Sequence, residues 1–143
     1  MNIDKAAILI KKATLEFEKL SNAELEKYDL TSPQFKVMKY LFDEAENGVR
    51  IVDLEKYYSM SHPTTIGIVQ NLEKKGLVEY RDNPHHARSR YIAPTQKGME
   101  LKEELESVGD ELEAELTRNL TDKERLRLIA LLKKMMGIGP DEG

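Results

Sequence analysis

The segment SHPTTIGIVQNLEKKGLVEY, residues 61–80, most narrows what this chain can fold into. Ser61 is a good helix N-cap, and Pro63 lies in the first turn, where a missing N–H costs nothing. Gly76 stops the helix after two lysines. At about 100° per residue, Thr65, Ile68, Val69 and Leu72 share one face, while Pro63, Thr64, Gly67, Gln70, Asn71 and Lys74 share the other. The second face carries hydroxyls, amides and a glycine and is almost free of acids. An ordinary solvated face would be richer in Glu and Lys, so this one has the composition of a contact face. Two β-like runs follow at once, LVEYR (77–81) and SRYIAP (89–94). They predict a hairpin whose tip holds Pro84, a residue that does not fit a regular ladder.

The flanking segments read as helices. Apolar residues from Ile3 to Leu25 recur at three-and-four spacing, which predicts an amphipathic helix over 3–27. TSPQ opens the next one, with Thr31 and Gln34 spaced as a capping box and Asn47-Gly48 as the stop. Val49–Ile51 reads as a short strand and Asp53–Tyr58 as a short helix. Thr95 caps a long helix whose leucine seam runs Leu101, Leu105, Val108, Leu112, Leu116, Leu120 and whose outside is acidic. TDKE at 121–124 opens the last helix, with Leu126, Ile129, Leu131, Leu132, Met135 and Met136 as its core residues and Gly137, Gly139 and Pro140 beyond it.

Composition excludes several classes. The chain has 143 residues, the size of one domain, and no cysteine, so disulfides and thiolate metal sites are out. The N-terminal apolar run is too short to span a membrane, and a cytoplasmic protein is expected. The net charge is −4, but residues 61–97 hold six Lys/Arg against three Asp/Glu, together with all three histidines. A basic centre therefore lies between acidic ends. His62, His85 and His86 lack metal-ligand spacing, so no metal or cofactor is expected. No Gly-rich phosphate loop, G-x-S-x-G or H-E-x-x-H is present, so no enzyme is expected either.

Helix, helix, short helix, contact-faced helix and basic hairpin, in that order, describe a winged helix-turn-helix: mainly α with a small β-hairpin. The helix from Ser61 would be the recognition helix and the hairpin the wing. The wing would place Arg88 and Arg90 against a minor groove, with Arg81, Lys74 and Lys75 reaching phosphates. Ser61, His62, Pro63, Thr64, Thr65, Gly67, Gln70, Asn71, Lys74, Arg81, His86, Arg88 and Arg90 are thus the candidate DNA-binding residues. The competing reading is a winged helix used for protein–protein contact, which the acidic total and Gly67 also fit. The basic sign of the helix face favours double-stranded DNA.

LTSPQFKVMKYL, LEKYYSMSHPTTIGIVQNLEKKGLVEY and YIAPTQKG together resemble the MarR family of transcription regulators over nearly the whole chain. The most specific parts are LEKKGLV and the T-x-K-G of Thr95, Lys97 and Gly98. The resemblance implies one domain over 1–143, with dimerisation helices in 1–30 and 95–143 and a winged lobe in 31–94. It implies a homodimer acting on a palindromic operator, and a repressor released by a small aromatic or lipophilic effector. Met38, Met60, Met99 and the Met135–Met136 pair read first as ordinary core and second as a cavity lining, while Phe35, Tyr57 and Tyr58 would border an effector cleft between the dimer helices and the DNA-binding lobe. The family wing has an Asp-x-Arg pattern. Arg88 matches its arginine, whereas His86 stands where the aspartate belongs, and this histidine would add pH dependence to DNA binding.

Overall fold

The computed structural model describes residues 5–85 and 88–140. Local signals build most of the helices. α1 runs Ala6–Leu25. α2, Ser32–Glu44, opens on the expected reciprocal cap: Thr31 Oγ1 accepts from the Gln34 N–H at 3.3 Å, and Gln34 Oε1 accepts from the Thr31 N–H at 3.2 Å. Phe35, Val37, Met38, Leu41 and Phe42 form its buried face. The chain then turns through Gly48 at φ 71°, where a Cβ would lie 2.7 Å from the Tyr91 ring. Both the backbone angle and the ring require glycine there.

The expected strand at Val49–Ile51 reduces to a single bridge between Val49 and Ile92. The next helix, α3, already begins at Ile51 and ends at Tyr58. The reason is Asp53, whose carboxylate accepts from the Arg50 N–H at 2.9 Å. A carboxylate three residues after the cap makes Arg50 the cap residue and pulls the helix start forward. α4 spans His62–Lys74, and the hairpin pairs β1 (Val78–Arg81) with β2 (Tyr91–Pro94) antiparallel, Val78 opposite Pro94.

The long helix is not continuous. It divides into α5 (Gln96–Glu100) and α6 (Lys102–Leu116), with a tightened turn in which the Leu101 N–H bonds Gly98 O at 3.1 Å. α6 stops where Thr117 Oγ1 donates to Glu113 O at 2.7 Å, so Leu120 falls outside the leucine seam and is exposed. Leu105, Val108 and Leu112 are buried in the chain's own core together with Leu25, Phe35 and Met38. α7, Asp122–Met136, has the expected capping box between Thr121 and Glu124. It buries none of its residues: Leu126, Leu128, Leu131, Met135 and Met136 are all exposed in the single chain. Ile8, Leu9, Ile10 and Leu15 of α1 are exposed as well.

Candidate nucleic-acid interface

The outer face of α4 is laid out as its periodicity requires. Thr65, Val69 and Leu72 are buried, whereas Pro63, Thr64, Gln70, Asn71 and Lys74 are exposed and Gly67 is half-exposed. Ser61 holds the start of the helix: its Oγ accepts from the Thr64 N–H at 3.3 Å and donates to Thr64 Oγ1 at 2.9 Å. The Thr64 hydroxyl is thereby oriented, with its own proton free to be donated outward. Among the described residues nothing lies within 4 Å of a Cβ built on Gly67, so a ligand backbone can come close there.

Three expected contact residues are turned to other uses. Thr65 is fully buried, and its hydroxyl donates to Ser61 O at 2.8 Å, so it is a cap and core residue. Arg81 donates to Glu79 Oε1 at 2.9 Å and to Pro94 O at 3.3 Å, bracing the base of the hairpin. Lys75 donates to Gln34 Oε1 at 2.9 Å, away from the outer face. In each case the partner is a group that residue type alone does not reveal.

The wing brings a set of basic groups up to the start of α4. Arg88 is exposed, and the Arg90 guanidinium sits 4.2 Å from the centroid of the Tyr80 ring. Burial pushes the Tyr80 phenol up, and nearby Glu73 adds to this, although Arg90 opposes it. Tyr80 therefore stays protonated beneath its cation across the neutral range. His86 lies outside the described residues. Arg50, which the sequence reading passed over, joins this group: Arg50, Arg88 and Arg90 line one hollow with His62, Glu55 and Tyr80. Its only signal was the Arg50-to-Asp53 spacing that caps α3; the two side chains form an ion pair at 3.2 Å. His62 Nδ1 lies 2.5 Å from Glu55 Oε1, which orients the imidazole at the helix start.

Within the single chain, the methionine and aromatic residues expected at an effector pocket are dispersed. Met38 and Phe35 are core, while Met99, Met135 and Met136 are exposed. Tyr40, Tyr57 and Tyr58 pack against one another, with centroids 4.8 and 4.9 Å apart for the two closer pairs. Tyr58 donates its hydroxyl to Lys36 O at 2.6 Å, and burial first, then Tyr57, raises its pKa above the ordinary tyrosine range. Among the described residues no three His, Asp or Glu are grouped to hold a metal ion. Among the same residues no helix is long and apolar enough to cross a membrane.

A polar, acid-poor helix presented beside a basic hairpin on a three-helix lobe defines a winged helix-turn-helix protein of the DNA-binding class. The MarR family profile matches residues 28–89. The multiple antibiotic resistance protein MarR of Escherichia coli K12 is 33% identical over 120 residues, covering 83% of this chain and 82% of that protein. A MarR mutant from E. coli solved with operator DNA is 32% identical and superposes with a TM-score of 0.80, over 89% of this chain and 90% of that one. The MepR–DNA complex of S. aureus reaches a TM-score of 0.85 at 27% identity, over 93% of this chain and 97% of that one. The chain belongs to the MarR family of transcriptional regulators.

Proposed function

We propose that the protein is a homodimeric, double-stranded-DNA-binding regulator that recognises a palindromic operator and releases it on binding a small aromatic or lipophilic effector. In this reading it is a cytoplasmic repressor without catalytic activity. Residues 31–94 are its DNA-binding lobe, and 1–30 with 95–143 are its dimerisation helices. The carrying observation is the Ser61-capped helix, whose exposed Pro63, Thr64, Gln70, Asn71 and Lys74 form an outer face without an acid before Glu73. The relatives solved on DNA support it, one of them on operator DNA. Ser61, His62, Gly67, Arg88 and Arg90 complete the proposed contact surface. Arg50 is added to it.

Homodimerisation follows from energetics. A helix of 15 residues with no buried residue is marginal on its own in water. The exposed apolar residues of α7 and α1 gain stability only by covering one another across copies. Two copies then present two α4 helices to successive major grooves, one helical turn apart, roughly 34 Å.

Measuring operator affinity against salt tests the DNA reading. Each neutralised phosphate contributes about −0.9 to the log–log slope. Lys74→Ala is expected to flatten that slope and weaken all sequences alike, whereas Thr64→Ala is expected to narrow the difference between operator and unrelated DNA. Identical effects from the two variants, or none from either, would reject α4 as the reading helix and favour a protein partner. Effector release is tested separately. Titrating a panel of aromatic acids into the complex is expected to free the DNA for at least one member, and a flat response across the panel removes the effector from the proposal.

A further inference from the structure

The far end of α4 is tied down by an unusual use of a lysine. Lys75 follows directly on Lys74, yet the two side chains differ in what they meet. Lys74 is exposed on the outer face. Lys75 turns back across the lobe, with a side chain only 29% exposed. Its Nζ donates to Gln34 Oε1 at 2.9 Å and to the backbone carbonyl of Asp29, and the Asp29 carboxylate lies 3.9 Å away. Gln34 is itself buried, and the same Oε1 accepts from the Thr31 N–H. Asp29 occupies the left-handed region at φ 54°, at the corner between α1 and α2. The ammonium thus donates to two oxygens, with the Asp29 carboxylate beyond them at ion-pair distance. Turning it outward to a phosphate would strip a buried amide oxygen of its charged donor.

We infer that Lys75 is a positioning residue: it fastens the C-terminal end of α4 to the α1–α2 corner and so sets the angle at which the outer face meets DNA, without meeting a phosphate itself. This rests on the DNA-binding reading above. In a dimer a change in that angle alters the separation of the two reading helices. Lys75 therefore acts on the preferred spacing between half-sites, an effect that charge alone would not produce.

The experiment compares wild type with Lys75→Met, Gln34→Leu, Gln34→Glu and Lys74→Ala. Affinity is measured as a function of salt on an operator selected from a random pool, and on versions with one base pair added or removed between half-sites. Thermal unfolding of each variant is recorded alongside. Lys75→Met is expected to lose about tenfold in operator affinity, the worth of a charged hydrogen bond. Its salt slope should match wild type, and its preference for the correct spacing should shrink. Gln34→Leu should reproduce both effects from the other side of the contact, which keeps the test open if Lys75→Met does not fold. Gln34→Glu retains an acceptor for both donors and should behave as wild type. A flattened slope for Lys75→Met, comparable to that of Lys74→Ala, would make Lys75 a phosphate contact and overturn the inference while leaving the DNA reading intact. Wild-type affinity and spacing preference in both Lys75→Met and Gln34→Leu would also overturn it. If Lys74→Ala too is without effect, the DNA-binding reading of α4 fails instead.

Discussion

Leu131→Asp is expected to convert the protein from a dimer into a folded monomer and to abolish operator binding at concentrations where wild type is saturated. Leu131 is 46% exposed in the single chain and lies on α7 between Leu128 and Met135, at positions that share one face. Burying a leucine contributes about 1.5–3 kcal/mol, and a carboxylate at the same position adds a desolvation cost. A two-fold interface counts each substitution twice. Taking about 3 kcal/mol per copy, the dimer loses about 6 kcal/mol, or roughly four orders of magnitude in dissociation constant. Sedimentation at micromolar concentration measures the first effect and a binding titration the second. A variant that stays dimeric would place the interface elsewhere.

The same substitution made on the other side of the helical layer has a different outcome, and the contrast separates interface from core. Leu112 is 3% exposed within one chain, packed in the cluster that includes Leu105, Val108 and Phe35. An aspartate there has no partner and sits under the protomer's own helices, so Leu112→Asp unfolds the chain itself. The seam over Leu101–Leu116 has the spacing of a coiled coil, but its middle residues Leu105, Val108 and Leu112 are already buried within the single chain. The exposed apolar residues proposed to meet a second copy lie on α7 and on the first half of α1.

How far the sequence could be read depended on the range of the forces involved. The caps at Thr31, Ser61 and Thr121 form within three residues, and all three were legible. So was the outward face of α4, since helical period alone sorts Thr64, Gln70, Asn71 and Lys74 from Val69 and Leu72. Arg81 and Lys75 could not be sorted this way. Each is a basic residue beside the reading helix, and its tertiary partners, Pro94 O along with nearby Glu79 for one and Gln34 for the other, turn it toward the fold. Thr65 was legible as a core position by period, and its hydroxyl still finds a use in the first turn. The interruption at Leu101 was hidden for the same reason of range, because the leucine spacing runs straight through it. The wing is the remaining gap: its arginine is described, and the adjoining His86, with the pH dependence expected of it, is not.

The two motifs that carry the family resemblance, LEKKGLV and T-x-K-G, are the two halves of one contact. Thr95 Oγ1 donates to Gly76 O at 2.5 Å, the Thr95 N–H to Leu77 O at 3.0 Å, and Lys97 Nζ to Lys75 O at 2.9 Å. Thr95 Oγ1 also caps α5 by accepting from the Gly98 N–H at 3.1 Å. The start of α5 is thus laid directly on the turn that ends α4. Gly98 is buried at the closest point: a Cβ there would overlap the Leu77 carbonyl oxygen and stand 3.2 Å from its carbon and 3.3 Å from Met38 Cε. The Met38 tip can yield, but the Leu77 backbone is pinned by the Thr95 N–H and cannot. Gly98→Ala is therefore expected to destabilise the protein even though alanine favours a helix by about 1 kcal/mol over glycine. Overpacking against backbone costs about 3 kcal/mol or more, leaving a net loss of at least about 2 kcal/mol. At about 3 °C per kcal/mol for a chain of this size, Tm should fall by roughly 6 °C or more at fixed protein concentration. Gly67→Ala is the control. Its Cβ enters open space, so the helical gain is unopposed and Tm should rise by a few degrees. Should both variants shift Tm upward, α5 does not rest on the Leu77 carbonyl, and the reason for glycine at position 98 would have to be sought elsewhere.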